Sequence, residues 1–115
     1  MHVSSIDFDK YITSYHNFPK PGILFRDISP LLASAEGMSS AVDEIIAQVA
    51  GMRLDLVAGI ESRGFLFSTL LAARLGIGSM MIRKPGKLPG NLVHQSYDLE
   101  YGSAALSMQA DAPVA

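Results

Sequence analysis

Apolar residues recur along this chain at helical spacing in some stretches and at strand spacing in others, and each change of period marks an element. Phe8, Tyr11, Ile12 and Tyr15 fall on one helical face, which predicts a short helix over residues 5–16. Ser4, with Asp7 three residues on, suits its N-terminal box, with Asp in place of the usual Glu. Phe18-Pro-Lys-Pro-Gly follows, and two prolines with a glycine forbid regular structure there. Ile23, Leu24 and Phe25 then bring apolar bulk to a loop or short strand, and Ser29-Pro30 predicts a turn. Met38, Ala41, Val42, Ile45, Ile46 and Val49 form an amphipathic stripe, with Asp43, Glu44 and Gln48 outward. They predict a helix from Ser34 to Ala50, ended by Gly51.

The stretch from Asp55 to Gly76 organises the rest. Leu56, Val57, Ala58 and Ile60 make an apolar run of strand length, and Glu61-Ser62-Arg63-Gly64 breaks it. From Phe65 a helical pattern runs through Leu66, Thr69, Leu70 and Ala73 to a C-cap glycine at Gly76. Ile77–Ile82 is a second apolar strand. Strand, tight turn and helix form half of a βαβ unit, so the fold class is α/β, a parallel sheet flanked by helices. Arg83–Gly90 holds three cations, two prolines and two glycines, and is expected to be a mobile loop whose cations repel one another. Asn91–Gln95 continues this loop, with His94 facing solvent and paired with neither base nor metal. Ser96–Tyr101 alternates as a strand, Gly102-Ser103 turns the chain, and Ala104–Met108 returns as a second strand of a hairpin.

Composition narrows the function classes. A length of 115 residues fits one domain, and 49% hydrophobic with 17% charged residues fits a globular fold. A net charge of −2 gives no electrostatic case for nucleic acid. With no cysteine there is neither a disulfide framework nor a thiolate metal site. No apolar run approaches the ~20 residues of a membrane span. The N-terminal residues lack a basic and an apolar leader region, which reads as cytoplasmic.

Ligands of such sheets bind beyond the C-terminal strand ends, where backbone N–H groups and the helix dipole suit a phosphate. Arg63 adds a bidentate donor there, and the second strand delivers Arg83, Lys84 and Lys87 to the same edge. An ordinary connection with a surface arginine, beside a solvated basic loop, competes with this reading. Phe25, closed by Arg26 and Asp27, could wall a pocket for a flat ligand or be core beside a local ion pair. Glu100 is a candidate general acid or base, against the alternative of a plain exposed strand residue.

Taken together, these motifs resemble adenine phosphoribosyltransferases, members of the type I phosphoribosyltransferase family. Phe18-Pro-Lys-Pro-Gly-Ile-Leu-Phe-Arg-Asp-Ile28 is similar to the family's adenine-pocket segment, and Gly59-Ile-Glu-Ser-Arg-Gly-Phe65 to its pyrophosphate loop. Arg83-Lys-Pro-Gly-Lys-Leu-Pro-Gly90 and Ser96-Tyr-Asp-Leu-Glu-Tyr-Gly102 resemble the flanks of its catalytic lid. The resemblance implies transfer of a phosphoribosyl group from phosphoribosyl pyrophosphate to adenine, giving AMP and pyrophosphate, with substrate-bound magnesium. It implies that Leu24, Phe25 and Arg26 hold adenine, partly through backbone groups. Glu61, Ser62, Arg63, Arg83, Lys84 and Lys87 would form the pyrophosphate site, and Glu100 and Tyr101 the catalytic lid pair. It implies a cis peptide at Glu61–Ser62, no protein metal cage, a cytoplasmic homodimer, and neither nucleic acid nor membrane as partner.

The family also carries a strand with two adjacent acidic residues and a Thr-Gly-Gly-Thr loop for the ribose 5-phosphate. Neither occurs in these 115 residues. The sequence is therefore expected to be an N-terminal portion, incomplete at its C-terminus, with an open sheet edge. A catalytically inactive fragment and a purine-sensing module of the same fold are the alternatives to the enzyme. The intact lid motif favours the enzyme, because a sensor needs no acid or base.

Overall fold

A computed structural model describes residues 6–99 and 102–111. The chain divides into two compact units, Met1–Gly51 and Met52–Ala115. In the first, a 3-10 turn at Phe8–Tyr11 leads into β1 (Thr13–His16), β2 (Leu24–Asp27), α1 (Ser29–Leu32) and α2 (Ala35–Gln48). The second holds β3 (Leu56–Ile60), α3 (Arg63–Leu75), β4 (Gly78–Ile82), β5 (Leu92–Leu99) and β6 (Gly102–Gln109).

The first unit corrects the expectation of a helix over residues 5–16. Only one 3-10 turn forms, capped by Asp7, whose Oδ1 accepts from the Asp9 N–H at 3.1 Å; Ser4 lies outside the described residues. β-branched Ile12 and Thr13 favour extended backbone, and β1 pairs antiparallel with β2, setting Tyr15 opposite Phe25. Asn17, at φ 58°, turns the chain between the strands, and its Oδ1 accepts from the Gly22 N–H at 2.9 Å. The predicted Ser29-Pro30 turn is the start of α1, with Pro30 in the first turn, where its missing N–H costs nothing. Helix α2 follows the expected span and stripe, but Asp43 and Glu44, expected outward, are half-buried, and Glu44 Oε2 is buried without a hydrogen-bond partner among the described residues. Ser34 caps it by accepting from the Gly37 N–H at 2.9 Å, and Val42 is buried.

In the second unit, β3 and β4 pair in parallel, with Leu56 opposite Gly78 and Ile60 opposite Ile82. Helix α3 is the crossover between them, so the expected βαβ arrangement is present. The helix starts at Arg63, two residues earlier than its apolar pattern, and Gly76 closes it in the left-handed conformation at φ 73°. Its own Leu71 and Ala72 are buried. The Glu61–Ser62 peptide is cis, as the resemblance implies.

The polar-looking stretch before the hairpin is strand, not loop. β5 begins at Leu92 and pairs antiparallel with β6 as far as Gln109, so Gly102 and Ser103 lie in β6 rather than in the turn. The polar His94, Gln95 and Ser96 hide this strand locally, and its pairing with β6 determines it. Arg83 joins this hairpin to β4, exchanging backbone hydrogen bonds with Ser107 at 2.8 Å in each direction.

Close packing of β3 on α3 depends on Gly59. A Cβ there would overlap the Ser68 hydroxyl and lie 2.7 Å from Ser68 Cβ. Ser68 is buried and cannot move out of the way. Gly59→Ala should therefore destabilise the fold by about 1–3 kcal/mol, the usual cost of overpacking. Paired urea titrations measure this, and an unchanged midpoint would show that the helix can slide on the strand.

Candidate active site

The parallel register of β3 and β4 brings their C-terminal ends side by side, and the Glu61 N–H extends the ladder by donating to the Ile82 carbonyl at 2.9 Å. Glu61 and Arg83 thus leave adjacent strands at neighbouring positions. Arg83 Nε donates to Glu61 Oε1 at 3.1 Å, and the Lys84 backbone N–H donates to the same oxygen at 3.1 Å. The two side chains are only 29% and 14% exposed, which sets this ion pair apart from solvated surface pairs. The guanidinium also lies 6.0 Å from the Phe65 ring centroid, and Nη1 is 3.5 Å from the Lys87 carbonyl.

The expectation of mutually repelling cations is therefore modified: the first cation of the Arg83–Gly90 segment has an internal counter-ion. The Lys84 amide and then the Arg83 guanidinium hold the Glu61 carboxyl below its ordinary value of 4.5, against the opposing effect of burial. Arg63, Lys84 and Lys87 are exposed at the same end of the unit. Arg63 is the first residue of α3, and Ser62 its N-cap. Lys84 also lines a cavity of about 430 Å³ with Ser96, Tyr97 and Ser103 of the β5–β6 hairpin. Glu100 and Tyr101, expected in the lid, lie outside the described residues.

His94 is exposed, as expected, but it lies in a strand rather than in a loop. It sits in β5, and its Nδ1 is 2.6 Å from the hydroxyl of Ser107, which is 2% exposed. The cross-strand register, with His94 opposite Ser107, makes this contact.

In the first unit, Phe25 lines a cavity of about 390 Å³ with Tyr15, Phe18 and Asp27. The Phe18 and Phe25 rings meet edge to face, 5.1 Å apart at 74°. Leu24 and Arg26 alternate onto the exposed side of β2 and do not line this cavity. Asp27 lines the cavity as the sequence suggests, whereas Tyr15 escaped the reading of the sequence; its pairing with Phe25 is the signal that identifies it. Asp27 Oδ1 also accepts from the Ser29 N–H at 3.0 Å and the Ser29 hydroxyl at 2.6 Å.

No family model matches the chain. An adenine phosphoribosyltransferase from Desulfitobacterium hafniense is 50% identical over 110 residues, 96% of this chain and 64% of that protein. A second, from Thermobifida fusca, is 45% identical over 104 residues, covering 90% and 59% of the two chains. The chain is homologous to adenine phosphoribosyltransferases. It spans less than two thirds of the length of the curated relatives it matches. Among solved structures, the Thermoanaerobacter pseudethanolicus adenine phosphoribosyltransferase superposes with a TM-score of 0.86 at 41% identity, covering 91% of this chain and 61% of that one. The Saccharomyces cerevisiae enzyme, complexed with an imino-altritol bisphosphate and adenine, gives 0.83 at 35% identity, covering 92% and 62%. The parallel β3–α3–β4 unit is accordingly that of the phosphoribosyltransferase fold.

The lowered Glu61 carboxyl carries a pH dependence. Its stabilising contacts are fully present above the unfolded-chain value and are lost as pH falls through the lower, folded one. Glu61→Gln should lower the urea midpoint at pH 7, and the gap from the parent should close as pH drops below about 4. A gap that stays constant on acidification would show that the ionised carboxylate is not the stabilising form.

Proposed function

We propose that the protein transfers a phosphoribosyl group from phosphoribosyl pyrophosphate to adenine, releasing pyrophosphate and AMP in purine salvage. The observation that carries this reading is the parallel pairing that gathers Ser62, Arg63, Arg83 and Lys84 at one strand-end edge. Such an edge suits an anion of several charges. Both compact units would belong to one phosphoribosyltransferase domain.

In this proposal the second unit takes the donor. Arg63, Arg83, Lys84 and Lys87 bind the pyrophosphate group, with the backbone at Ser62 beside them, and stabilise charge as the anomeric C–O bond breaks. Magnesium would arrive chelated by the donor's phosphates and retain waters there. Among the described residues no three His, Asp or Glu side chains converge as a metal cage; an ion carried by the substrate is what the resemblance implies. The first unit takes adenine: Phe25 provides an aromatic face, and Leu24 and Arg26 contribute backbone groups of β2. The purine nitrogen forms the new bond to the anomeric carbon as pyrophosphate leaves. Glu100 accepts the proton released from that nitrogen, with Tyr101 beside it. Closure of the β5–β6 hairpin would exclude water that could hydrolyse the donor. A cytoplasmic homodimer, acting without nucleic acid or membrane, completes the reading. It is supported by the resemblance, by the net charge of −2 and by the lack, among the described residues, of a helix long and apolar enough to cross a membrane.

Two substitutions in the full gene product test the assignment. Arg63→Ala should raise the donor KM about tenfold or more, as expected for loss of a charge-assisted contact, and leave the adenine KM nearly unchanged. Steady-state rates with each substrate varied decide this; an unaltered donor KM and rate would remove Arg63 from the site. Glu100→Gln should lower turnover ~10²–10⁴-fold with adenine binding retained. A turnover within about twofold of the parent would exclude Glu100 as the proton acceptor.

A further inference from the structure

Glu61 places a carboxylate at an edge that is otherwise built for an anion. Aimed at a phosphate, it would oppose binding by like-charge repulsion. The geometry gives it another task. Its Oε1 accepts from Arg83 Nε and from the Lys84 N–H, both at 3.1 Å. The Arg83 backbone is meanwhile pinned from the opposite direction by two 2.8 Å hydrogen bonds with Ser107. Arg83 is thus held at its main chain by β6 and at its guanidinium by the residue that ends β3.

We propose that Glu61 is a positioning residue: it grips the Nε edge of Arg83 and the first amide of the basic segment, so that Arg83 meets a pyrophosphate group with its terminal amines already oriented. Glu61 itself does not contact the ligand. This rests on the reading of the edge as a pyrophosphate site. An unrestrained arginine would lose its side-chain freedom on binding, and one already held loses less.

The test is a double-mutant cycle in the full gene product, using Glu61→Gln, Arg83→Gln and the pair. The readouts are the donor KM, the adenine KM and calorimetric affinity for inorganic pyrophosphate with magnesium. Glu61→Gln should weaken donor and pyrophosphate binding about tenfold while the adenine KM stays within about twofold. The double variant should be no weaker than Arg83→Gln alone, because Glu61 acts only through Arg83. Losses that multiply in the double variant would mean that Glu61 acts on the ligand directly, and would overturn the proposal.

A second readout needs no ligand. The Arg83 Nε–H resonance, identified by its loss in Arg83→Gln, should exchange slowly with water in the parent and fast in Glu61→Gln. Equal exchange in both would also overturn the proposal. Failure of the underlying site reading looks different: the parent itself would bind no pyrophosphate, whatever the exchange rate of Arg83, and the proposed role would fall with it.

Discussion

The parallel pairing of β3 with β4 is the constraint from which the second unit's arrangement of charge follows. Two parallel neighbours need a crossover, and α3 provides it. The crossover must lie close on the strand, and Gly59 against Gly64 and Ser68 allows that approach. Once the register sets Ile60 opposite Ile82, the next residues of both strands emerge together at one edge. Glu61 and Arg83 meet for that reason, although they are far apart in sequence. The C-terminal end of such a strand is also where the first N–H groups of a following helix have no intrahelical acceptor.

Charge at this edge is arranged rather than merely accumulated. A segment carrying Arg83, Lys84 and Lys87 would spread apart if nothing opposed its self-repulsion. The Glu61 carboxylate offsets one of those charges and does so with little solvent access. Removing one partner of this half-buried pair leaves the other without its counter-ion at a position only partly open to water. The hairpin adds a second restraint through Ser107, whose backbone holds Arg83 and whose buried hydroxyl meets His94.

The sequence revealed those elements whose local preference and tertiary environment agree. Helix α2 has a capping serine, a continuous stripe and a terminal glycine, and it lies where its pattern places it. The β3–turn–α3–β4 order was legible for the same reason. The N-terminal stretch was not, because Phe8, Tyr11, Ile12 and Tyr15 satisfy a helical template while β-branched residues and pairing with β2 decide for strand. The start of β5 was hidden by the polar His94, Gln95 and Ser96. Its strand identity comes from β6, a partner too distant for a local pattern to register.

Candidate site residues were legible by type and position, but not by what each side chain meets. Arg63, Arg83, Lys84 and Lys87 are recognisable as cations flanking a strand-end turn. Glu61 belongs to the same motif, and the motif alone assigns it to the ligand with its neighbours. Its role depends on whether Arg83 arrives within hydrogen-bond distance, and only the register of two separate strands determines that. The same limit applies to β2 in the first unit. Leu24, Phe25 and Arg26 read as one group along the chain, yet strand alternation sends Phe25 into the aromatic cavity and its neighbours to the other side. Adjacency in a motif therefore identifies which backbone reaches a site. The direction of each side chain, and the sign of what it meets there, are properties of the pairing.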